Sequence, residues 1–316
     1  MPESRLPRPY AIVSTGGADL RFYLGDALDL LPAFAPASVS AIVTSPPYNL
    51  GIRYRSFDDD GPRDEYLRWT GAWTAAAGTA LEPAGSLFLN VGGKPTEPWT
   101  AFDVAQAVRP HLHLQNVIHW IKSIAIEREP AGARAGLDAD LAVGHYKPIN
   151  SARFLNDCHE FVFHFSRSGD APLERLAIGV PYQDRSNIGR WAGASEGLRC
   201  RGNTWFIPYD TIQSRERERP HPATFPVRLP EQCLRLHGVS RLGLVVDPFS
   251  AWGARRWRRP GWACRSRGSR WTRPTCRRRW RGPARPVSQL SNRSDNKPSY
   301  HDGSRWCAPH THHGSI

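Results

Sequence analysis

An apolar run, Val39-Ser40-Ala41-Ile42-Val43, breaks directly into Thr44-Ser45-Pro46-Pro47-Tyr48-Asn49. The run has the makeup of a buried strand, and two successive prolines end it in a rigid loop. Proline fixes φ, donates no hydrogen bond and leaves its carbonyl able to accept one. This segment therefore requires a sheet in which one strand end carries a stiff, acceptor-rich loop with an aromatic at its tip. Such a loop is suited to holding something polar.

The flanking sequence repeats the strand-and-helix theme. Leu24-Gly25-Asp26-Ala27-Leu28-Asp29-Leu30-Leu31 reads as a strand end, a turn and a short helix capped by Asp26. Residues 64–81 read as a helix with Tyr66, Trp69 and Trp73 on one face, ended by Pro83. Gly85 opens a buried strand over 86–91, 101–108 reads as helical, and 117–121, 160–165 and 242–246 read as further strands. Apolar strands alternating with helices imply an α/β, doubly wound sheet. Two long irregular zones, 122–157 and 166–220, are rich in Arg, Gly, Pro and Asn, and loops of that length are usually functional.

The chain has 316 residues and a net charge of +13, but the charge is unevenly placed. Residues 251–316 hold 16 Lys and Arg against 2 Asp and Glu, leaving 26 against 27 in residues 1–250. Six of the 12 tryptophans also fall in that last stretch. No run of about 18 apolar residues occurs, and Met1-Pro2-Glu3-Ser4-Arg5 lacks a signal-peptide pattern. The six cysteines show no CxxC spacing, so neither a metal site nor a disulfide framework is expected, and a cytoplasmic protein is.

The basic stretch has no helical or strand period and few aliphatics, so it cannot build a core. One reading is a disordered arm that grips phosphates. The other is translation in the wrong frame. Rebuilding codons from the last base of one residue and the first two of the next, with CGN for Arg and TCN for Ser, tests this. Ser250-Ala251-Trp252-Gly253 then gives an NGC codon that can be Gly, then Leu, Val or Met, then a forced Gly. Trp257/Arg258 forces Ala, Trp262/Ala263 forces Gly, and Trp271/Thr272 forces Asp. A Gly-rich turn, an Ala-rich helix, a strand and an acidic residue emerge, the second half of a β-α-β nucleotide-binding unit. The expected organisation is a domain over 1–250 and an out-of-frame tail over 251–316.

Thr44–Asn49 resembles the catalytic motif of amino-directed DNA methyltransferases, which methylate the exocyclic nitrogen of cytosine or adenine. The resemblance extends over about residues 20–250 and is to the circularly permuted class, in which the catalytic segment precedes the cofactor segment. His145–Asn150 and Asn156–Phe165 are similar to the stretch beside the target base. Arg201-Gly202-Asn203-Thr204-Trp205 is similar to the end of the recognition region, and His221–Pro226 to the helix start beside the cofactor. Asp247-Pro248-Phe249 matches the first half of the S-adenosylmethionine loop, whose glycines and acidic ribose ligand are missing from the text as written.

The resemblance implies a Rossmann-like S-adenosylmethionine-dependent fold, incomplete at the C-terminus, with an inserted DNA-recognition region over about 166–220. It implies Ser45, Pro46, Pro47 and Tyr48 as catalytic residues. Asp26, Thr44, His221, Thr224, Phe225, Pro226, Asp247, Pro248 and Phe249 would bind S-adenosylmethionine. Lys147, Asn150, Arg185, Arg190 and Arg201 would bind double-stranded DNA, and a cognate restriction endonuclease is a further partner. Ser-Pro-Pro-Tyr leans toward cytosine N4 rather than adenine N6.

Two alternatives remain open. One is a methyltransferase acting on RNA or on a protein side chain; the other is a nucleic-acid-binding remnant without catalysis. Three further features are expected to be incidental. His301, His310, His312 and His313 fall in the suspect tail, and Gly92-Gly93-Lys94 lacks the rest of a phosphate loop. Asp58-Asp59-Asp60 reads as a solvated loop.

Overall fold

The structure, a computed structural model, describes residues 5–16, 18–52, 59–133, 136–144, 151–182, 197–208 and 225–250, all within one compact unit, Met1–Ser269. The tail with its histidines lies outside the described residues. The strands are β1 (Ala11–Thr15), β2 (Ala18–Phe22), β3 (Val39–Thr44), β4 (Leu81–Val91), β5 (His113–Ile121) and β6 (Ser123–Ile126). They continue as β7 (Leu141–Gly144), β8 (His159–Ser166), β9 (Val180–Pro181), β10 (Leu198–Arg199), β11 (Thr204–Phe206) and β12 (Val245–Val246). The helices are α1 (Ala27–Leu30), α2 (Arg63–Ala80), α3 (Thr100–Val108) and α4 (Arg228–His237).

A six-stranded sheet, ordered β11-β5-β8-β4-β3-β12, forms the centre. Its neighbours pair in parallel except β8, which runs antiparallel to both β4 and β5. Parallel neighbours need a helical crossover, whereas a chain that turns back without one returns antiparallel. Between β5 and β8 lies the β6–β7 hairpin rather than a crossover helix. The zone 122–157, read as irregular, therefore contains an ordered antiparallel hairpin.

Both faces of the sheet are covered, as a doubly wound arrangement requires. On one face Ile42, Leu87, Leu89, Phe163 and Phe165 pack with Tyr66, Trp73 and Ala77 of α2 and Ala101, Val104 and Val108 of α3. On the other face Val43, Phe88, Ile118, Trp120 and Val162 pack with Leu229, Cys233 and Leu236 of α4. The Tyr66–Trp69–Trp73 stripe buries as its spacing predicts, Trp73 completely. α2 ends at Ala80 because Leu81 is already extended (φ −62°, ψ 138°); Pro83, expected to stop the helix, lies inside β4 instead. Asp26 caps α1 as expected, accepting from the Leu28 N–H at 2.8 Å.

One expectation changes. The strand expected over 242–246 shortens to Val245–Val246, because Ser40 intervenes. The Gly243 N–H donates to Ser40 Oγ (2.8 Å), which in turn donates to the Leu244 carbonyl (3.0 Å). Arg201–Trp205, the segment similar to the end of a recognition region, leads into β11 at the edge of the central sheet, where Trp205 is 1% exposed. Its indole N–H donates to the Gly202 carbonyl at 3.0 Å, so the pattern there is that of a packed edge. Among the described residues, no helix is long and apolar enough to cross a membrane.

Candidate active site at the carboxyl edge of the sheet

β3 and β12 are parallel neighbours, with Val245 opposite Ala41 and Val246 opposite Ile42. Both strands therefore deliver their next residues to one edge, where open α/β sheets bind ligands. Thr44 Oγ1 donates to Asp247 Oδ1 at 2.7 Å, and the Phe249 N–H donates to the same oxygen at 3.1 Å. The Phe249 ring lies 5.3 Å from that of Trp69 and 5.1 Å from that of Trp73, the latter edge-on. Beside it the buried Trp73 indole N–H has no acceptor among the described residues, and neither does Asp247 have a cationic partner. The Asp247 carboxylate, without a cationic partner among the described residues, thus stands beside an aromatic wall. That set fits a ligand with a cationic group and a flat ring.

The proline loop is held from below. Tyr66 of α2 donates its hydroxyl to the Pro47 carbonyl at 2.7 Å. Arg63 spans from the Tyr48 carbonyl (3.4 Å) to the Thr100 carbonyl (3.0 Å) and Asp103 (3.5 Å). The Pro46 carbonyl has no donor among the described residues. Asn49 turns the chain with φ +58°, a conformation Asn tolerates better than most residues.

Ser45 Oγ and Tyr48 OH lie 2.5 Å apart, and Tyr48 OH faces Glu160 Oε2 at 3.4 Å. Glu160 is a hub. Its Oε2 also accepts from Asn90 Nδ2 at 2.9 Å, and its Oε1 pairs with Lys122 Nζ at 3.1 Å. The Lys122 and Glu160 side chains are only 18% and 13% exposed, so the pair is well shielded. A Tyr48 O–H directed at Glu160 lets Ser45 donate to Tyr48 and keep its own lone pairs outward. Gly92 closes the gap: a Cβ there would come within 3.0 Å of Tyr48 Cε2 and 3.1 Å of Glu160 Cδ. Gly92 thus serves close packing. Replacing Glu160 by Ala would remove the acceptor of three donors at once. We expect the misplaced Tyr48 ring to lose its fixed position, read as averaged Tyr48 ring signals by NMR, and wild-type signals would refute this role.

Residues 39–254 match the family model described as DNA methylase, of the N6/N4 group. The chain belongs to the N6/N4 DNA methylase family. M.MjaVI, a Type II methyltransferase of Methanocaldococcus jannaschii, is 52% identical over 54 residues, covering 17% of this chain and 28% of its own. The Type II methyltransferase M.ScaI of Streptomyces caespitosus is 34% identical over 263 residues, covering 77% of this chain and 73% of its own. A solved structure described as PvuII DNA methyltransferase, cytosine-N4-specific, shares the fold over 76% of each chain, with a TM-score of 0.50 at 20% identity.

In this DNA methylase, the sequence-derived residues Thr44, Ser45, Pro46, Pro47, Tyr48, Asp247, Pro248 and Phe249 converge on one sheet edge. Asp26 stands at the α1 N-terminus, its carboxylate engaged by Leu28. Phe225 packs on the α4-side core, and the Pro226 carbonyl accepts from the Leu229 N–H at 2.9 Å as α4 begins. Arg201 Nε donates to the Ile178 carbonyl at 2.9 Å. His221, Thr224, Lys147, Asn150, Arg185 and Arg190 lie outside the described residues.

Sequence reasoning missed Glu160, Asn90, Lys122 and Asp59. Glu160 and Asn90 were legible as polar residues interrupting apolar strands. Asp59 was misread: it is 2% exposed, not solvated, and its carboxylate binds the backbone of the loop after Tyr48.

Proposed function

We propose that this DNA methylase transfers a methyl group from S-adenosylmethionine to the exocyclic amine of a base flipped out of double-stranded DNA, cytosine N4 in preference to adenine N6. The observation that carries this reading is the meeting of the Thr44–Tyr48 loop with Asp247–Phe249 across adjacent parallel strands, joined at 2.7 Å. Asp247, Phe249 and Trp69 would hold S-adenosylmethionine, which supplies an electrophilic methyl group when bound.

An exocyclic amine is a weak nucleophile because its lone pair is delocalised into the ring. The Ser45 hydroxyl and the Pro46 carbonyl accept its two hydrogens, localising the lone pair on nitrogen and stabilising the positive charge that develops. Tyr48 stacks on the flipped ring, an interaction worth roughly 1–3 kcal/mol against an unstacking cost of a few. The Glu160–Asn90–Lys122 hub keeps Tyr48 in place. The setting is cytoplasmic, with a cognate endonuclease as partner.

We further propose that residues 251–316 are out-of-frame text, so that the second half of the cofactor loop returns when one base restores the frame after Ser250. The match of residues 39–254 to the family supports this, since it stops where the basic text begins. The test offers duplex DNA and methyl-labelled S-adenosylmethionine to the chain as written and to the frame-restored protein. We expect strong labelling by the second and weak labelling by the first, with N4-methylcytosine in the nucleoside digest. N6-methyladenine alone would overturn the base preference, and no labelling by either protein would overturn the reaction. In the frame-restored protein, Ser45→Ala removes one acceptor for the developing charge and should lower the rate by about 100-fold. Labelling at the wild-type rate would refute the role given to Ser45.

A further inference from the structure

α4 and the helical turn Arg175–Ile178 enclose a cleft of about 190 Å³ on the face of the sheet opposite α2 and α3. Arg201, Arg228, Arg235, Glu231, Gln232 and Gly179 line it. Arg235 is answered by Glu231 at 2.9 Å, so that pair is neutral. Arg201 uses Nε on the Ile178 carbonyl, and its two terminal nitrogens have no acceptor among the described residues. The exposed Arg228 has none either. Gln232 is 6% exposed, and its Nε2 is a buried donor without an acceptor among the described residues.

Two like charges thus converge on one hollow, and the carboxylate that lines it, Glu231, is committed to Arg235. Burial first, and the neighbouring Arg228 second, hold the Arg201 guanidinium below its usual pKa. An oxyanion between the arginines would turn mutual repulsion into two attractions, and guanidinium forks match phosphate geometry. Inorganic phosphate and a nucleic-acid backbone share that chemistry, so position must choose between them. β12 follows α4 and runs parallel to β3, toward the edge that carries Ser45 and Tyr48. α4 must therefore end at the opposite edge, where His237 meets Ser86, and begin at the Ser45 edge with Arg228. The cleft opens beside the first turns of that helix.

We propose that this cleft is a phosphate-binding site, filled by a backbone phosphodiester of the duplex while a base is presented to Tyr48. The inference rests on the reading of the chain as a DNA methyltransferase. It assigns Arg201 and Arg228 to register on the backbone, a contact that positions the duplex without reading sequence.

The test measures duplex affinity of the full chain against salt for the wild type, Arg228→Gln and Arg68→Gln. Arg228 makes no hydrogen bond among the described residues, so its loss spares the fold. Arg68 is an exposed control on α2, paired with Asp64. For Arg228→Gln we expect the plot of log affinity against log salt to become shallower by about one unit, equally on related and unrelated sequences. Arg68→Gln should leave it unchanged. Inorganic phosphate alone is the second probe and should raise the melting temperature of the wild type but not of Arg228→Gln. A wild-type salt slope in Arg228→Gln overturns the assignment to DNA, even if inorganic phosphate still stabilises the protein. If the wild type binds no duplex at all, the functional reading fails and the phosphate arm judges the cleft. Stabilisation lost in Arg228→Gln then upholds an anion site, and no stabilisation in the wild type overturns it.

Discussion

Acidification from pH 6.5 to 4 should strip this protein of stability well before its surface carboxylates titrate, because two buried histidines must charge. His164 and His237 are 0% and 2% exposed and share one hydroxyl: Ser86 Oγ lies 3.0 Å from His164 Nε2 and 2.9 Å from His237 Nδ1. Asn116 Nδ2 lies 3.0 Å from His164 Nδ1. With the amide as assigned, every bond is satisfied in one direction only. Asn116 donates to His164, His164 donates to Ser86, and Ser86 donates to His237. Both rings are neutral in that chain, and a proton on either breaks it.

Burial is the main cause that lowers both rings to about 4, aided at His164 by His237 and at His237 by Arg241. A pKa depressed in the folded state means that the unfolded chain takes up protons first as pH falls below the usual 6.5. Stability is therefore full above that value and declines toward pH 4, by roughly 1.4 kcal/mol per pH unit for each histidine in the window. Urea midpoints across pH 4–8 should be flat above pH 7 and steep below 6.5. His164→Phe should be less stable at pH 7, yet lose about half of the acid slope. An unchanged slope in that variant would refute the assignment.

Removing the Asp59 carboxylate should collapse the loop that follows Tyr48. Asp59 Oδ1 accepts from the Asn49 N–H at 2.8 Å, and Oδ2 accepts from the Leu50 and Ile52 N–H groups, each at 3.0 Å. Asn49 Nδ2 completes the wrap by donating to the Asp59 and Gly61 carbonyls, at 3.2 and 2.9 Å. Asp59→Ala leaves three donors facing a buried void, and an unsatisfied buried donor costs about 1–3 kcal/mol. We expect a loss of roughly 3 kcal/mol or more in the urea midpoint, and a fall of about 100-fold in methyl transfer by the frame-restored protein as Tyr48 drifts. Asp59→Asn keeps one acceptor oxygen but turns an amide donor toward the loop, and should fall between. Full activity in Asp59→Ala would show that the loop is ordered by something else.

Several elements were legible because their signals are local. The apolar run ending in Pro46-Pro47 forms β3 and its loop, the i, i+3, i+7 aromatics of α2 face the core, and Asp26 caps α1. The hairpin β6–β7 and the strand β11 were hidden by their brevity, since strands of four and three residues carry too little periodicity to be read. The extent of β12 was overread because Ser40, about 200 positions away, occupies the hydrogen-bonding groups at its start.

The sequence by itself determined which chemistry the chain carries: a hydroxyl, two carbonyls and an aromatic at a strand end, and a second motif, Asp247-Pro248-Phe249, near the end of the intact text. Only the tertiary structure decided that Asp59 is an internal ligand for backbone N–H groups, that Glu160 steadies Tyr48, and that Arg201 and Arg228 share a cleft. Propensity and periodicity act over a turn or a strand. The hydrogen bonds that join Thr44 to Asp247 and Asn90 to Glu160 come from residues 70 to 200 positions away, brought together by the pairing of β3, β4, β8 and β12.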